Sequence, residues 1–189
     1  MKRRRLRPYL QGDLDALCGI YAIINAVQIC RPRLKRGEFF ADLFDDLIKA
    51  AAPRASTFLL YGTGVADVAR LLEAAKQSVK RRLTLCMSYS RPFRNGPPKS
   101  SPEYLHLVGQ HVAGDNCACV IALSHHHFRY HWTAVQAVTK RSLRIVDSCD
   151  HQLIRRASLK IAGPGQIKQP GWWMPSATFL ISINSTDRL

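Results

Sequence analysis

The stretch HWTAVQAVTKRSLRIVD, residues 131–147, decides the fold. Two runs rich in apolar and β-branched residues, 131–138 and 143–147, flank a short polar turn at 139–142, the pattern of two antiparallel strands joined as a hairpin. His131 opens the first arm and Asp147 closes the second, so the hairpin brings them together at its outer end. A carboxylate against one ring nitrogen of an imidazole orients the other nitrogen for proton transfer.

Working outward, the thiol that such a base would serve stands far upstream. Cys18-Gly19 heads the apolar run 18–30, which reads as a buried helix ended by Arg31-Pro32, with Asp13 and Asp15 placed to cap its start. A helix N-terminus and a nearby imidazolium both favour a thiolate. Gln11 precedes Cys18 by seven residues. Its side-chain amide, with the Cys18 backbone N–H, can donate to an oxyanion developing on an attacked carbonyl. Gln11, Cys18, His131 and Asp147 thus supply an amide donor, a nucleophile, a base and an orienting group, in that order.

The rest of the chain frames these residues. Residues 37–51 read as an amphipathic helix with Phe39, Phe40, Leu43, Phe44, Leu47 and Ile48 inward, closed by Pro53. A third helix, 64–76, is entered through Gly62-Thr63-Gly64, with Thr63 as its cap. That turn lacks the Gly-x-x-x-x-Gly-Lys spacing of a phosphate cradle. Residues 83–90, 117–123 and 177–183 read as strands, and 104–112 as either a short strand or a helix. The Pro-rich polar stretch 91–103 is long enough to serve as a lid or substrate-side loop. The expected architecture is α+β, with N-terminal helices packed on a C-terminal antiparallel sheet. One domain spans 1–189, with a basic arm at 1–9.

Composition narrows the functional classes. No apolar run reaches the ~18 residues that a spanning helix needs, and the basic start has no apolar run behind it to make a secretory signal. The expectation is a cytoplasmic protein, or one delivered without a classical signal peptide. The net charge of +15 comes from dispersed basic clusters at 2–7, 31–36, 80–82, 140–141 and 155–156. They favour an acidic protein or peptide partner over nucleic acid, because no aromatic platform for stacking bases accompanies them.

Three features are weaker. Adjacent His125, His126 and His127 cannot all face one ion on a strand and have no thiol or acidic partner at ligand spacing, so no metal and no cofactor are expected. The 171–175 segment, with Trp172 and Trp173, reads as packing under a loop more than as a substrate groove. The six cysteines form no C-x-x-C pair, and all but Cys18 read as small buried core residues in a reducing compartment. Cys149, on the same side as Asp147, has a second reading as a redox-sensitive thiol.

The Gln11…Cys18-Gly19 helix head, followed by His131-Trp132-Thr133-Ala134-Val135 and Val146-Asp147-Ser148, resembles the papain-like cysteine peptidases. The segments are similar to those of bacterial domains that process bacteriocin leader peptides, which also share a Gly-Thr-Gly-type helix entry, and to the Josephin deubiquitinases. The ubiquitin-like-protein proteases share the His-Trp and Asp-Ser segments but run His, Asp, Gln, Cys; here the cysteine comes first. The resemblance covers roughly residues 10–150. It implies a papain-like fold with Cys18 as nucleophile, His131 as general base, Asp147 as orienting residue and Gln11 as oxyanion donor.

The expected activity is hydrolysis of a peptide or isopeptide bond through a thioester, on a protein or peptide substrate that is acidic or ubiquitin-like. The same groups would serve a thiol-dependent acyltransferase of transglutaminase type. A catalytically silent basic adaptor for an acidic protein or nucleic acid is the non-enzymatic alternative.

Overall fold

The run 18–30 is apolar on nearly every side, and it folds as α1 (Cys18–Cys30), a helix buried on all faces at the centre of the molecule. The computed structural model describes residues 6–10, 17–35, 37–123, 131–149, 151–161 and 172–185. Helix α2 (Glu38–Ala51) turns Phe40, Leu43 and Leu47 inward, as its pattern predicts. α2 ends at Ala51, just before Pro53, and a one-turn 3-10 helix, Ala52–Arg54, leads into a short helix α3 (Ala55–Tyr61) that the pattern did not indicate.

Helix α4 (Val65–Leu83) runs about two turns further than expected. Its extension carries Arg81 and Arg82, whose guanidiniums pair with Asp46 and Asp42 of α2. Ser78 on the same stretch donates to Asp46 at 2.7 Å. Tertiary ion pairs therefore hold as helix a basic run whose own sequence reads as a boundary. The following strand β1 (Leu85–Ser90) starts two residues later than the texture suggested.

Residues 91–100 are irregular and α5 (Ser101–Ala113) follows, with Ser100 accepting from the Glu103 N–H at its start and Pro102 in its first turn. The undecided segment 104–112 is thus helical. Phe93, from the candidate lid, is buried and stacks on Tyr104 with centroids 5.2 Å apart, and Arg91 donates to the Ser176 carbonyl. Phe93 thus ties the segment to the α5 side of the sheet, and Arg91 ties its start to β7.

The remaining chain builds the sheet from β2 (Cys117–Leu123), β3 (His131–Val138), β4 (Ser142–Val146), β5 (Leu153–Arg155), β6 (Lys160–Ile161) and β7 (Trp172–Ser185). Strand order is β1-β7-β2-β3-β4-β5 with every pair antiparallel, and β6 lies parallel to the start of β7. The expected hairpin is present: Ala134 pairs with Val146 and Val138 with Leu143, with a bulge between Val135 and Ala137.

Alternation along the strands gives the sheet two apolar faces. Ala118, Val120, Trp132, Ala134, Phe179 and Ile181 face α1, α2 and α4. Cys119, Ile121, Val135, Leu143 and Trp173 face α5. The architecture is α+β, helices against a largely C-terminal antiparallel sheet, with α5 covering the second face. Trp173 is core, meeting Tyr104 edge-on at 5.0 Å. Among the described residues no helix is long and apolar enough to cross a membrane.

Candidate active site

Cys18 is the first residue of α1, after Leu17, which offers no side-chain cap. Its thiol therefore sits at the positive end of the helix macrodipole. Gln11, Asp13 and Asp15 lie outside the described residues, as do His125, His126 and His127.

The hairpin delivers the other two groups as its pattern predicts. His131 Nε2 donates to Asp147 Oδ2 at 2.8 Å. Asp147 is fully enclosed, at 1% side-chain exposure, while His131 keeps 14%. The second carboxylate oxygen accepts from the Cys149 backbone N–H at 2.9 Å, so both oxygens are fixed. The imidazole also hydrogen-bonds to the Cys18 side chain. With Nε2 committed to Asp147, Nδ1 is the ring nitrogen left for sulfur.

Electrostatics follow from these contacts. Burial works against a charged His131, but the hydrogen bonds and charges of Asp147 and Cys18 overcome it and push the pKa from 6.5 up to about 10. Burial likewise opposes the Asp147 carboxylate, yet His131 holds its pKa below the ordinary 3.8. The Thr133 hydroxyl adds to this by proximity without a well-formed hydrogen bond. The result is a buried imidazolium held between a carboxylate and a thiol.

The residues that follow His131 and Cys18 are tied to one turn. Trp132, directly after His131, is wholly buried and donates from Nε1 to the Thr63 carbonyl at 2.8 Å. Gly19, directly after Cys18, packs so closely on Thr63 that a Cβ there would lie 2.3 Å from Thr63 Oγ1. The turn is held by Gly62 at φ 70°, which favours glycine, and by Asp67, which accepts from the Gly64 N–H at 3.0 Å. Asp67 also pairs with Arg54 and Arg70, both at 2.6 Å. Thr63 is not the cap of α4, contrary to expectation: Asp67 caps it from within, and the buried Thr63 hydroxyl has no hydrogen-bond partner. Only the Gly-Thr-Gly signature hinted at this bracket.

The cysteines divide differently from expectation. All six are free thiols; Cys18, Cys30 and Cys119 are buried, whereas Cys86 and Cys149 are exposed. The core reading thus fails for the last two, because Cys86 points outward from edge strand β1 and Cys149 lies on the loop after Asp147. Burial pushes the Cys119 thiol far up, as suits an inert core residue. Cys149 stands beside the site: its sulfur, a His131 ring nitrogen and an Asp147 oxygen all lie within 4.8 Å of one another.

No protein family matches the chain, and no curated protein matches it. Among solved structures, the chain is similar to the Pseudomonas avirulence protein AvrPphB at a TM-score of 0.40 and 9% identity, over 96% of this chain and 97% of that one. A likeness that remote carries no argument about chemistry, which rests on this chain's own residues.

Proposed function

We propose that the protein is a papain-like cysteine peptidase that hydrolyses a peptide or isopeptide bond through a thioester on Cys18. The observation that carries this reading is His131, bonded on one side to the buried carboxylate of Asp147 and on the other to a cysteine at a helix N-terminus. An inert core cysteine needs no such partner, and a buried imidazole–carboxylate pair is costly to keep without a use.

In the reaction the Cys18 thiolate attacks the scissile carbonyl carbon, and the oxyanion takes hydrogen bonds from the Cys18 backbone N–H and from Gln11. His131 gives a proton to the departing amine as the carbon–nitrogen bond breaks, leaving a thioester. Water then attacks the thioester while His131 takes its proton; the carbon–sulfur bond breaks, the carboxylic acid departs and the thiolate–imidazolium pair is restored. Asp147 keeps the imidazole in the required orientation and tautomer throughout. The single domain 1–189, with its basic arm at 1–9, works in a reducing, cytoplasmic setting on an acidic or ubiquitin-like protein substrate attracted by the +15 charge.

The test is residue-resolved iodoacetamide labelling near neutral pH, together with hydrolysis of an acidic peptide library. Cys18 should label ahead of the exposed Cys86, His131→Ala should slow that labelling, and Cys18→Ala should abolish hydrolysis. Equal labelling of all six cysteines, with hydrolysis intact in Cys18→Ala, defeats the reading. An added amine that captures the acyl group without hydrolysis would reassign the enzyme as an acyltransferase.

A further inference from the structure

Cys149 has no part in that mechanism, yet its sulfur lies within 4.8 Å of two of its groups. Continuing the β3–β4 register one step beyond Ala134–Val146 sets Thr133 across from Asp147, and Cys149 lies in the turn that follows. The Cys149 N–H is already bonded to Asp147 Oδ1, which fixes the loop against the site while the residue stays exposed. One sulfur, one imidazole nitrogen and one carboxylate oxygen converge within 4.8 Å.

We propose that His131, Asp147 and Cys149 form a binding site for a thiophilic divalent cation, with Zn2+ the best fit, and that its occupancy silences Cys18. The donor set is the argument for the metal. A thiolate with an imidazole and a carboxylate suits zinc, whereas Mg2+ and Ca2+ take oxygen donors. Around a tetrahedral zinc the donor atoms stand about 3.3–3.6 Å apart. The His131–Asp147 pair must therefore open slightly from 2.8 Å, and the Cys149 sulfur must swing inward. An exposed side chain on a loop can do so by rotating about χ1.

Binding releases two protons to solvent, one from the Cys149 thiol and one from the His131 N–H that now faces Asp147. The metal takes the place of the second proton. Cys18 stays bonded to the opposite ring nitrogen, and solvent water completes the coordination sphere. The chain's +15 charge repels cations at long range, so an ion retained here is held by its ligands. The inhibitory consequence rests on the peptidase reading; the binding itself does not. With both ring nitrogens of His131 engaged by metal and thiol, no proton can be relayed to a leaving amine.

The experiment is Co2+ titration of the full chain, following the thiolate-to-cobalt charge-transfer band, with Zn2+ competition. The wild type should develop the band, and Cys149→Ser and Cys149→Ala should each weaken binding by about tenfold or more. Absence of the band, or a weakening under about tenfold in both variants, overturns the site. In parallel, Zn2+ should slow Cys18 alkylation in the wild type and spare it in Cys149→Ser; equal slowing in both overturns the silencing. Failure of the peptidase reading would appear separately, as hydrolysis that survives Cys18→Ala while the cobalt band persists.

Discussion

Trp132 and Thr63 are joined by one buried hydrogen bond, indole N–H to backbone carbonyl at 2.8 Å, across a sequence gap of 69 residues. Because Thr63 also touches Gly19, this bond sets the residue after His131 against the residue after Cys18. The helical layer and the sheet are thereby aligned one residue away from the Cys18–His131 pair.

Trp132→Phe keeps a ring but removes the donor, leaving the Thr63 carbonyl buried and unpaired. Stability should fall by about 1–3 kcal/mol, read by urea unfolding. Alkylation of Cys18 should slow as well, since His131 loses its positional reference. Unchanged Cys18 reactivity in a measurably destabilised variant would reduce the bond to a purely structural role.

Gly19→Ala places a Cβ 2.3 Å from Thr63 Oγ1, 3.1 Å from Thr63 Cβ and 3.3 Å from Val68 Cγ2. Thr63 is wholly buried and cannot retreat without moving the turn. The expected cost is about 1–3 kcal/mol, with Cys18 shifted relative to His131. Thr63→Ala, by clearing the Oγ1 contact, should recover part of the loss when combined with Gly19→Ala; a double variant no better than the single one would show that another contact is limiting.

Asp147→Asn cannot satisfy both present contacts. The carboxylate accepts from His131 on one oxygen and from the Cys149 N–H on the other, whereas an amide has only one acceptor. Either the loop contact is lost or the imidazole takes the wrong tautomer. Hydrolysis should drop on the order of 10²-fold or more, with Cys18 still present and titratable by thiol reagents once unfolded.

The His131 pair predicts a direction for stability against pH. Its folded pKa of about 10 stands above the ordinary 6.5, so folding favours the protonated ring. That contribution is complete below about pH 6.5 and is lost as pH rises toward about 10. His131→Gln lacks it, so the gap in unfolding free energy between wild type and variant should narrow steadily over that interval. The Asp147 pKa is depressed, so its share is present above about pH 3.9 and is lost on further acidification. A gap that stays constant between neutral and strongly alkaline pH would mean that the ring is not held as an imidazolium.

Local pattern reached the hairpin and α1 because each is a short-range arrangement. The turn at 139–142 lets neighbouring segments pair, and the unbroken apolar run at 18–30 requires burial on every side. That was enough to bring His131 and Asp147 together in advance. It could not reach α5, whose Pro102 and Gly109 weaken the helical signal and whose apolar residues find their partners on β2 and β3. The extension of α4 escaped for the related reason that Arg81 and Arg82 answer to acids on another helix. At the site, Gly62-Thr63-Gly64 marks a tight turn but not the partner that its carbonyl receives, Trp132. The place of Cys149 depends on a turn after β4, closed by its N–H on Asp147 Oδ1, that the strand pattern does not define.

Strand β7 lies between β1 and β2, two strands that precede it by many residues. A chain emerging in order can form α1 and its helical neighbours early, but the sheet on which they close lacks its middle until residues 172–185 arrive. Until then Phe179, Ile181 and Ile183 are missing from the layer behind Trp132. Cys18 and His131 are thus made long before they can be brought into line. The topology acts as a timer, deferring their meeting until β7 has slotted in.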